Sequence, residues 1–132
     1  MTEHDEQVAL IQWARFSQAL RPELALLHAI PNGGQRSKTT AGKLKAEGVQ
    51  AGVPDLCLPV ARGGYHGLYV EMKWKSNKPS SAQRWWLSKL NEGGYLAVVC
   101  YGFDEARATL EGYLANRLRI DDVDISGEYA IL

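Results

Sequence analysis

The sequence predicts an α/β fold, a mixed central sheet flanked by helices. Segments whose apolar residues recur at helical spacing alternate with short apolar runs typical of strands, in the order α-β-α-β-β-α-β-α. A hydrophobic fraction of 45% and a charged fraction of 23% are ordinary for such a fold. With 132 residues, the chain has the length of one domain. We therefore expect a single domain over 1–132, with a core at about 3–115 and a tail at 116–132.

The first part of the chain predicts a helix, a strand and a second helix. The first helix should begin near Thr2–Asp5 and run to about Gln18, because its apolar residues recur with helical period. Glu6 lies on or near the packing face of this helix, either as a first-turn acid favoured by the helix dipole or as part of a site. A short, mostly buried strand is expected at Leu24–Ile30, and a helix at about Thr39–Glu47.

Two strand-like runs in the middle of the chain bring polar residues together. The runs Asp55–Val60 and Gly67–Trp74 are separated by a glycine-rich turn and predict a hairpin. Glu71 and Lys73 are two residues apart, so they face the same way in a strand. Antiparallel pairing would return Asp55 beside Glu71. The hairpin predicts two carboxylates and an ammonium in one small space, although the same spacing also fits the solvated face of an edge strand.

Such a trio of side chains suits a hard divalent cation. Mg²⁺ and Mn²⁺ take oxygen ligands, typically one or two carboxylates together with waters and substrate phosphate. The cation would offset the repulsion between Asp55 and Glu71 and could lower the pKa of a bound water. Lys73 would orient that water or stabilise the charge that grows on a phosphate.

Basic residues concentrate in the middle of the chain, although the formal net charge is zero. A turn at Pro31–Gly34 leads into this region. Its glycines, including Gly33, would allow a phosphate to approach the backbone, and Asn32 would offer a side-chain amide. The alternative is a solvated surface loop. Local potential rather than total charge attracts a polyanion. The basic residues that we assign to nucleic-acid binding are Arg36, Lys38, Lys43, Lys45, Lys75 and Lys78.

The next part of the chain predicts a helix followed by an interior strand. Ser80 and Gln83 have the spacing of a capping box, and the Gln83 amide has a second possible use in the metal pocket. The helix carries Trp85 and Trp86, which we assign to the core rather than to base stacking. The continuous run Tyr95–Tyr101 predicts an interior strand.

The end of the chain predicts a last helix and an acidic tail. Asp104 should cap a helix at roughly Glu105–Asn116. The acidic tail from Asp121 has no strong period. It is expected either to add a strand at Ile125 or to pack on a second subunit.

The two cysteines and the lack of targeting signals indicate the compartment. Cys57 and Cys100 lie in apolar runs whose spacing fits no zinc pattern, so we expect buried free thiols. No signal peptide or membrane-length apolar run is present in the sequence. We expect a soluble cytoplasmic protein without a membrane partner or an organic cofactor.

Five motifs taken together resemble the VRR-NUC domain, a branch of the PD-(D/E)xK nuclease superfamily. They are Glu6 in the first helix, HAIPNG at 28–33, GVPD at 52–55, VEMK at 70–73 and SAQ at 81–83. The resemblance covers roughly residues 3 to 115. It implies a restriction-endonuclease-like core.

The resemblance also implies a Mg²⁺- or Mn²⁺-dependent phosphodiesterase. Asp55 and Glu71 would be metal ligands, and the backbone carbonyl of Met72 a further ligand. Lys73 would be the catalytic lysine. The positions of Glu6 and Gln83 match family positions that complete or support the site.

The chain resembles the small stand-alone members of this family that phages and mobile elements carry. The resemblance implies a homodimer that acts in the cytoplasm of a bacterial or phage-infected cell on branched DNA, such as a four-way (Holliday) junction. Trp13, Trp85, Trp86 or the tail would provide the dimer contact. A sequence-specific restriction-type endonuclease and a dimeric nucleic-acid-binding module without chemistry remain as alternatives.

Overall fold

The computed structural model describes residues 2–31 and 38–128, and these ranges contain four α-helices and four β-strands. Three short 3₁₀ helices, at Ser17–Ala19, Pro22–Leu26 and Ile120–Asp122, connect or follow them. The predicted fold class and the predicted order of elements are both confirmed. In chain order the elements are α1 (Glu3–Phe16), β1 (His28–Ala29), α2 (Lys38–Ala46), β2 (Leu56–Leu58), β3 (Leu68–Lys73), α3 (Ser81–Glu92), β4 (Leu96–Tyr101) and α4 (Phe103–Leu114).

The four strands form one mixed sheet in the order β1-β2-β3-β4. β2 is antiparallel to both β1 and β3, whereas β3 and β4 are parallel. Parallel neighbours need a crossover connection, and α3 provides it. β3 is therefore a central strand, and its last residues lie where the hairpin and the crossover meet.

The two faces of the sheet pack against different helices. One face of β3, with Val70 and Met72, joins the main core beneath α1 and α4, to which Leu10 and Leu110 belong. Both of these leucines are fully buried, and complete burial of one leucine side chain stabilises the fold by about 1.5–3 kcal/mol. The opposite face packs on α3 through Leu87. Glu71 and Lys73 point to this second face because strand residues alternate.

Side-chain caps explain where two of the helices begin. In α1, Thr2 Oγ1 accepts a hydrogen bond from Asp5 N at 3.1 Å, and Asp5 Oδ2 accepts one from Thr2 N at 2.9 Å. The predicted capping box of Ser80 and Gln83 is present at the start of α3. Loss of such a cap typically costs about 1 kcal/mol. The helix α3 ends at Glu92 and is followed by Gly93 as its C-cap, as the sequence indicates.

The prediction of a mostly buried strand at 24–30 is wrong in most of its length. Pro22 opens a 3₁₀ helix that runs to Leu26, because its ring fixes a φ suited to the first turn of a helix. Only His28 and Ala29 form a strand, and both are exposed at the edge of the sheet.

Three further expectations fail where packing overrides local pattern. Trp85 is 55% exposed rather than part of the core, because Leu87 takes the inward position on α3. α4 begins at Phe103 after Gly102, so Asp104 is not its cap. The tail, as far as residue 128, forms no strand at Ile125.

As far as residue 128, the tail packs on its own chain. An isolated antiparallel bridge joins Asp124 to Val99 at the outer edge of β4. Contact of the tail with a second subunit stays a prediction. Cys57 and Cys100 are buried free thiols, as expected. Within the described ranges, no helix has both the length and the apolar character needed to cross a bilayer.

Candidate active site

The predicted hairpin is present and sets the geometry of the site. Leu56 of β2 pairs with Val70 of β3, so Asp55, one residue earlier, falls beside Glu71. The main chain of Asp55 is held by a hydrogen bond from Ile30 N to its carbonyl at 2.8 Å. Its Oδ2 accepts a second bond, from Met72 N, also at 2.8 Å. These two contacts direct the Asp55 side chain toward the Glu71 strand.

Gly52 brings this loop close to the start of α3. Its φ is 94°, a left-handed value that favours glycine. A Cβ at this position would lie 2.8 Å from the backbone carbon of Ala82. The glycine of the GVPD motif is therefore needed for the close approach of the loop to α3, which brings the residues of both to one site.

Three carboxylates converge at this point, and we call Glu3, Asp55 and Glu71 the acidic cluster. Each offers an oxygen atom within 4.8 Å of the others. Glu71 is 1% exposed, and its Oε1 is buried without a hydrogen-bond partner among the described residues. An unpartnered buried carboxylate oxygen is costly. Together these observations fit a hard divalent cation, which takes carboxylate oxygens as ligands.

The second oxygen of Glu71 is held by two donors. Gln83 Nε2 donates to Oε2 at 3.1 Å, and Lys73 Nζ lies 3.6 Å from the same atom. Gln83 Oε1 is already occupied, since it accepts from Ser80 N at 2.8 Å in the capping box. The amide can therefore present only its NH₂ group to Glu71. This arrangement leaves Oε1 of Glu71 for another ligand.

Burial and mutual repulsion favour the protonated forms of these carboxyl groups. Burial, together with the nearby charge of Asp55, raises the pKa of Glu71 to about 9, and Lys73 only partly opposes this. Burial also raises the pKa of Asp55, against the hydrogen bond from Met72 N. The pKa of Glu3 is raised by burial too, while Lys73 lowers it. At neutral pH a divalent cation would therefore have to displace the proton of Glu71.

We expect the stability of the metal-free protein to fall as pH rises. The pKa of Glu71 is about 9 when folded, above its ordinary 4.5, so its stabilising contribution is complete below pH 4.5 and is lost as pH rises through 9. The slope is at most about 1.4 kcal/mol per pH unit from this group. Urea unfolding in EDTA at pH 5, 7 and 9 measures it. Glu71→Gln should flatten the dependence, although Asp55 and Glu3 keep part of it with the same sign.

An exposed glutamate provides the control for this measurement. The side chain of Glu92 is 64% exposed, so Glu92→Gln should leave the pH dependence of the free energy of unfolding unchanged. Equal stability of the wild-type protein at pH 5 and pH 9 would contradict the raised pKa of Glu71.

Glu6 is not brought into the acidic cluster. It is 7% exposed, and its Oε1 accepts a hydrogen bond from Phe103 N at 3.2 Å. Gly102, which precedes α4, has no side chain to cap that helix, so Glu6 supplies the acceptor from α1. A Cβ on Gly102 would lie 3.0 Å from Glu6 Oε1. In this position Glu6 supports the packing of α1 on α4.

Glu3 is the carboxylate of α1 that the site prediction missed. Glu3 and Glu6 are one turn apart, so helical spacing puts both on one side of α1. That signal could have identified Glu3 as a candidate. The choice between the two depends on how α1 meets the sheet and α4.

The described residues predicted to bind nucleic acid are all exposed. Lys43 and Lys45 lie in the last turn of α2, and Lys75 and Lys78 lie between β3 and α3. Asn32, Gly33, Arg36 and the side chain of Lys38 lie outside the described residues. Met72 is fully buried, and the role of its carbonyl as a ligand stays a prediction.

Comparison with known proteins identifies the family. The family model of the VRR-NUC domain matches residues 1–104 of this sequence. A solved structure of a "VRR_NUC domain protein" is 32% identical in sequence, with a TM-score of 0.75 over 88% of this chain and 90% of that chain. No curated protein matches. The hairpin, the acidic cluster, Lys73 and Gln83 all lie within residues 1–104. The chain therefore belongs to the VRR-NUC domain family of nucleases.

Proposed function

We propose that this protein is a Mg²⁺- or Mn²⁺-dependent DNA endonuclease that hydrolyses phosphodiester bonds in branched DNA, such as four-way junctions. The observation that carries the proposal is the acidic cluster beside Lys73, with one buried oxygen of Glu71 left without a hydrogen-bond partner in the described part of the chain. Binding of a polyanion alone would not need three carboxyl groups at this point. Hydrolysis of a phosphodiester with the help of a divalent cation does need them, because carboxylates are the ligands that hold such a cation.

Asp55 and Glu71 would hold the cation, with Glu3 on the same side of the site. The carbonyl of Met72 is a further candidate ligand. When bound, the cation would polarise the scissile phosphate and make an attacking water more acidic. Once deprotonated, the cluster would repel the DNA backbone unless a cation offset its negative charge.

Lys73 would act on the reacting groups through its ammonium. Its side chain is 11% exposed, and Nζ is 3.6 Å from Glu71 Oε2. The nearby carboxyl group of Glu71 and the burial of the lysine side chain hold Nζ in place, so little order has to be gained when substrate binds. From this position Nζ can donate a hydrogen bond to the attacking water or to a phosphate oxygen as its charge grows. Gln83 keeps Glu71 oriented during this process.

The exposed lysines would contact phosphates rather than bases. Lys43, Lys45, Lys75 and Lys78 carry positive charge on flexible side chains, and such charges bind the DNA backbone without reading sequence. Arg36 and Lys38 are proposed to act in the same way. This supports selection of substrate by shape over selection by sequence.

We expect Lys75→Gln combined with Lys78→Gln to weaken binding to all DNA sequences alike. Each lost phosphate contact should reduce the slope of log affinity against log salt concentration by about 0.9. Fluorescence anisotropy between about 50 and 200 mM salt, with Ca²⁺ to suppress cleavage, measures this. Lys89→Gln, which removes one positive charge from the exposed side of α3, where Lys89 pairs with Glu92, is the control for each single substitution. A loss confined to one sequence would argue for base readout.

We also propose that the protein acts as a homodimer. Large apolar side chains are exposed at the end of α1 and just after it, with Phe16 at 91% and Leu20 at 82%, and a second copy would cover such a surface. Two active sites related by a two-fold axis would suit a junction with two-fold symmetry. Sedimentation equilibrium of the wild-type protein should give twice the mass of one chain. The double variant Phe16→Glu with Leu20→Glu should give the mass of a single chain. A monomeric wild-type protein would contradict this part of the proposal.

Cleavage of labelled linear duplex, flap and four-way-junction DNA, each with Mg²⁺, Mn²⁺ or EDTA, tests the whole proposal. We expect cutting of the junction near its branch point, and no cutting in EDTA. Cutting of linear duplex at one short sequence would instead support a restriction-type enzyme. Binding without cutting of any substrate would support a module without chemistry.

A further inference from the structure

The last described residues of the chain pack against the loop that leads into α3. Gly127 is buried and has a φ of 80°, a left-handed value. A Cβ here would lie 2.9 Å from Pro79 Cδ and closer still to Pro79 Cγ. Pro79 is itself buried. A larger residue at position 127 therefore cannot be accommodated without displacing Pro79.

Asp124 anchors this segment to the sheet. Its carbonyl accepts a hydrogen bond from Val99 N at 2.8 Å, and its Oδ1 accepts one from Gly127 N at 2.7 Å. Val99 is also the residue of β4 that pairs with Glu71 of β3. The segment 124–127 is thus tied to the strand beside the acidic cluster.

On its other side, Pro79 leads directly into the capping box of α3. Gln83 N donates to Ser80 Oγ at 3.2 Å, and Ser80 N donates to Gln83 Oε1 at 2.8 Å. Gln83 Nε2 then donates to Glu71 Oε2 at 3.1 Å. The position of Pro79 therefore determines the position of Ser80, the N-cap of α3. Because Ser80 is bonded to Gln83, it also determines where the Gln83 side-chain amide meets Glu71.

We infer that Gly127 is a positioning residue for the acidic cluster, acting through Pro79 and the capping box on Glu71. The inference rests on the proposed function, since it takes Glu71 as a metal ligand. Residues 124–127 lie beyond the residues 1–104 that the family model matches. The contact that holds Gln83 against Glu71 therefore comes from a part of the chain outside the family motifs. Groups that orient a metal ligand change metal affinity about 10- to 100-fold when they are removed.

The first test compares two glycines with similar backbone but different surroundings. Gly64 has a φ of 88°, and a Cβ added there would meet no atom of the described residues within 4 Å, so Gly64→Ala adds the strain without the contact. Calorimetry with Mn²⁺ on the full chain should show a loss of affinity of about 10-fold for Gly127→Ala and none for Gly64→Ala. Equal affinities in the two variants would overturn the inference.

A double-mutant cycle separates positioning from general destabilisation. If Gly127 acts through Gln83, then Gly127→Ala should add little to the loss of Mn²⁺ affinity caused by Gln83→Ala. A variant that merely loosens the fold would add its full effect. Additive losses would therefore overturn the inference.

Hydrogen exchange of the backbone N–H of Gln83, which donates to Ser80 Oγ in the capping box, tests the same path without metal and independently of the proposed function. Gly127→Ala should speed this exchange, and Gly64→Ala should not. Pro79→Ala removes the contact from the other side and serves if Gly127→Ala does not fold. Failure of the wild-type protein to bind Mn²⁺ would refute the ligand assignment, whereas unchanged exchange at Gln83 would refute the role of Gly127.

Discussion

Lys73→Ala should lose at least about 1,000-fold in the rate of DNA cleavage while keeping the fold and DNA affinity. The ammonium is held 3.6 Å from Glu71 Oε2, in reach of a water or phosphate oxygen at the acidic cluster. Because it acts on charge that develops during reaction, its loss should lower kcat more than it raises KM. Single-turnover cleavage of junction DNA, with binding measured separately in Ca²⁺, checks this result.

Two controls make the Lys73 result specific. Lys75→Ala removes an ammonium two residues away, which lies 5.9 Å from the Trp74 ring centroid rather than at the cluster, and should change binding more than turnover. Lys73→Arg keeps the charge but not the point geometry, and should recover little activity. If Lys73→Ala instead cleaves at the wild-type rate, another group orients the water.

Asp55→Asn and Glu71→Gln should each abolish measurable Mn²⁺ binding in calorimetry. Both substitutions remove a charged oxygen donor from the acidic cluster, and a hard cation gains most of its affinity from such donors. In the wild-type protein, Mn²⁺ binding should release a proton, because the pKa of Glu71 is raised to about 9. The heat of binding in two buffers of different ionisation enthalpy measures that proton release.

A matched pair on α1 sharpens the ligand assignment. Glu3→Gln should weaken Mn²⁺ binding, because Glu3 belongs to the cluster. Glu6→Gln should bind Mn²⁺ normally and cost about 1 kcal/mol of stability through the weakened bond to Phe103 N. The reverse pattern would place Glu6, not Glu3, at the cation. Normal uptake of Mn²⁺ by both Asp55→Asn and Glu71→Gln would refute the cluster as the metal site.

The hairpin was predictable because its signals are local. Alternation over six residues assigns Glu71 and Lys73 to one face, and antiparallel register then brings Asp55 back to them. The capping box of Ser80 and Gln83 is likewise a local signal, since it spans four consecutive residues. Both the start of α3 and the approach of the Gln83 amide to the acidic cluster could therefore be anticipated.

The features that sequence reasoning missed depend on packing between distant parts of the chain. The choice of Glu3 over Glu6 follows from the bond of Glu6 to Phe103, 97 residues away. Trp85 is exposed because Leu87 occupies the inward position on α3, and aromatic character alone does not reveal the helix face. The contact of Gly127 with Pro79 has no periodic pattern at all.

Both outer strands of the sheet are poorly suited to recruiting another chain through main-chain pairing. β1 is only two residues long, and the open side of β4 is partly taken by the bridge from Asp124 to Val99. Short or covered edges are a common protection against uncontrolled growth of a sheet into aggregates. A second copy would therefore have to meet this one through side chains on helices and loops, which makes surface substitutions, rather than strand-breaking prolines, the natural tools for dissecting its assembly.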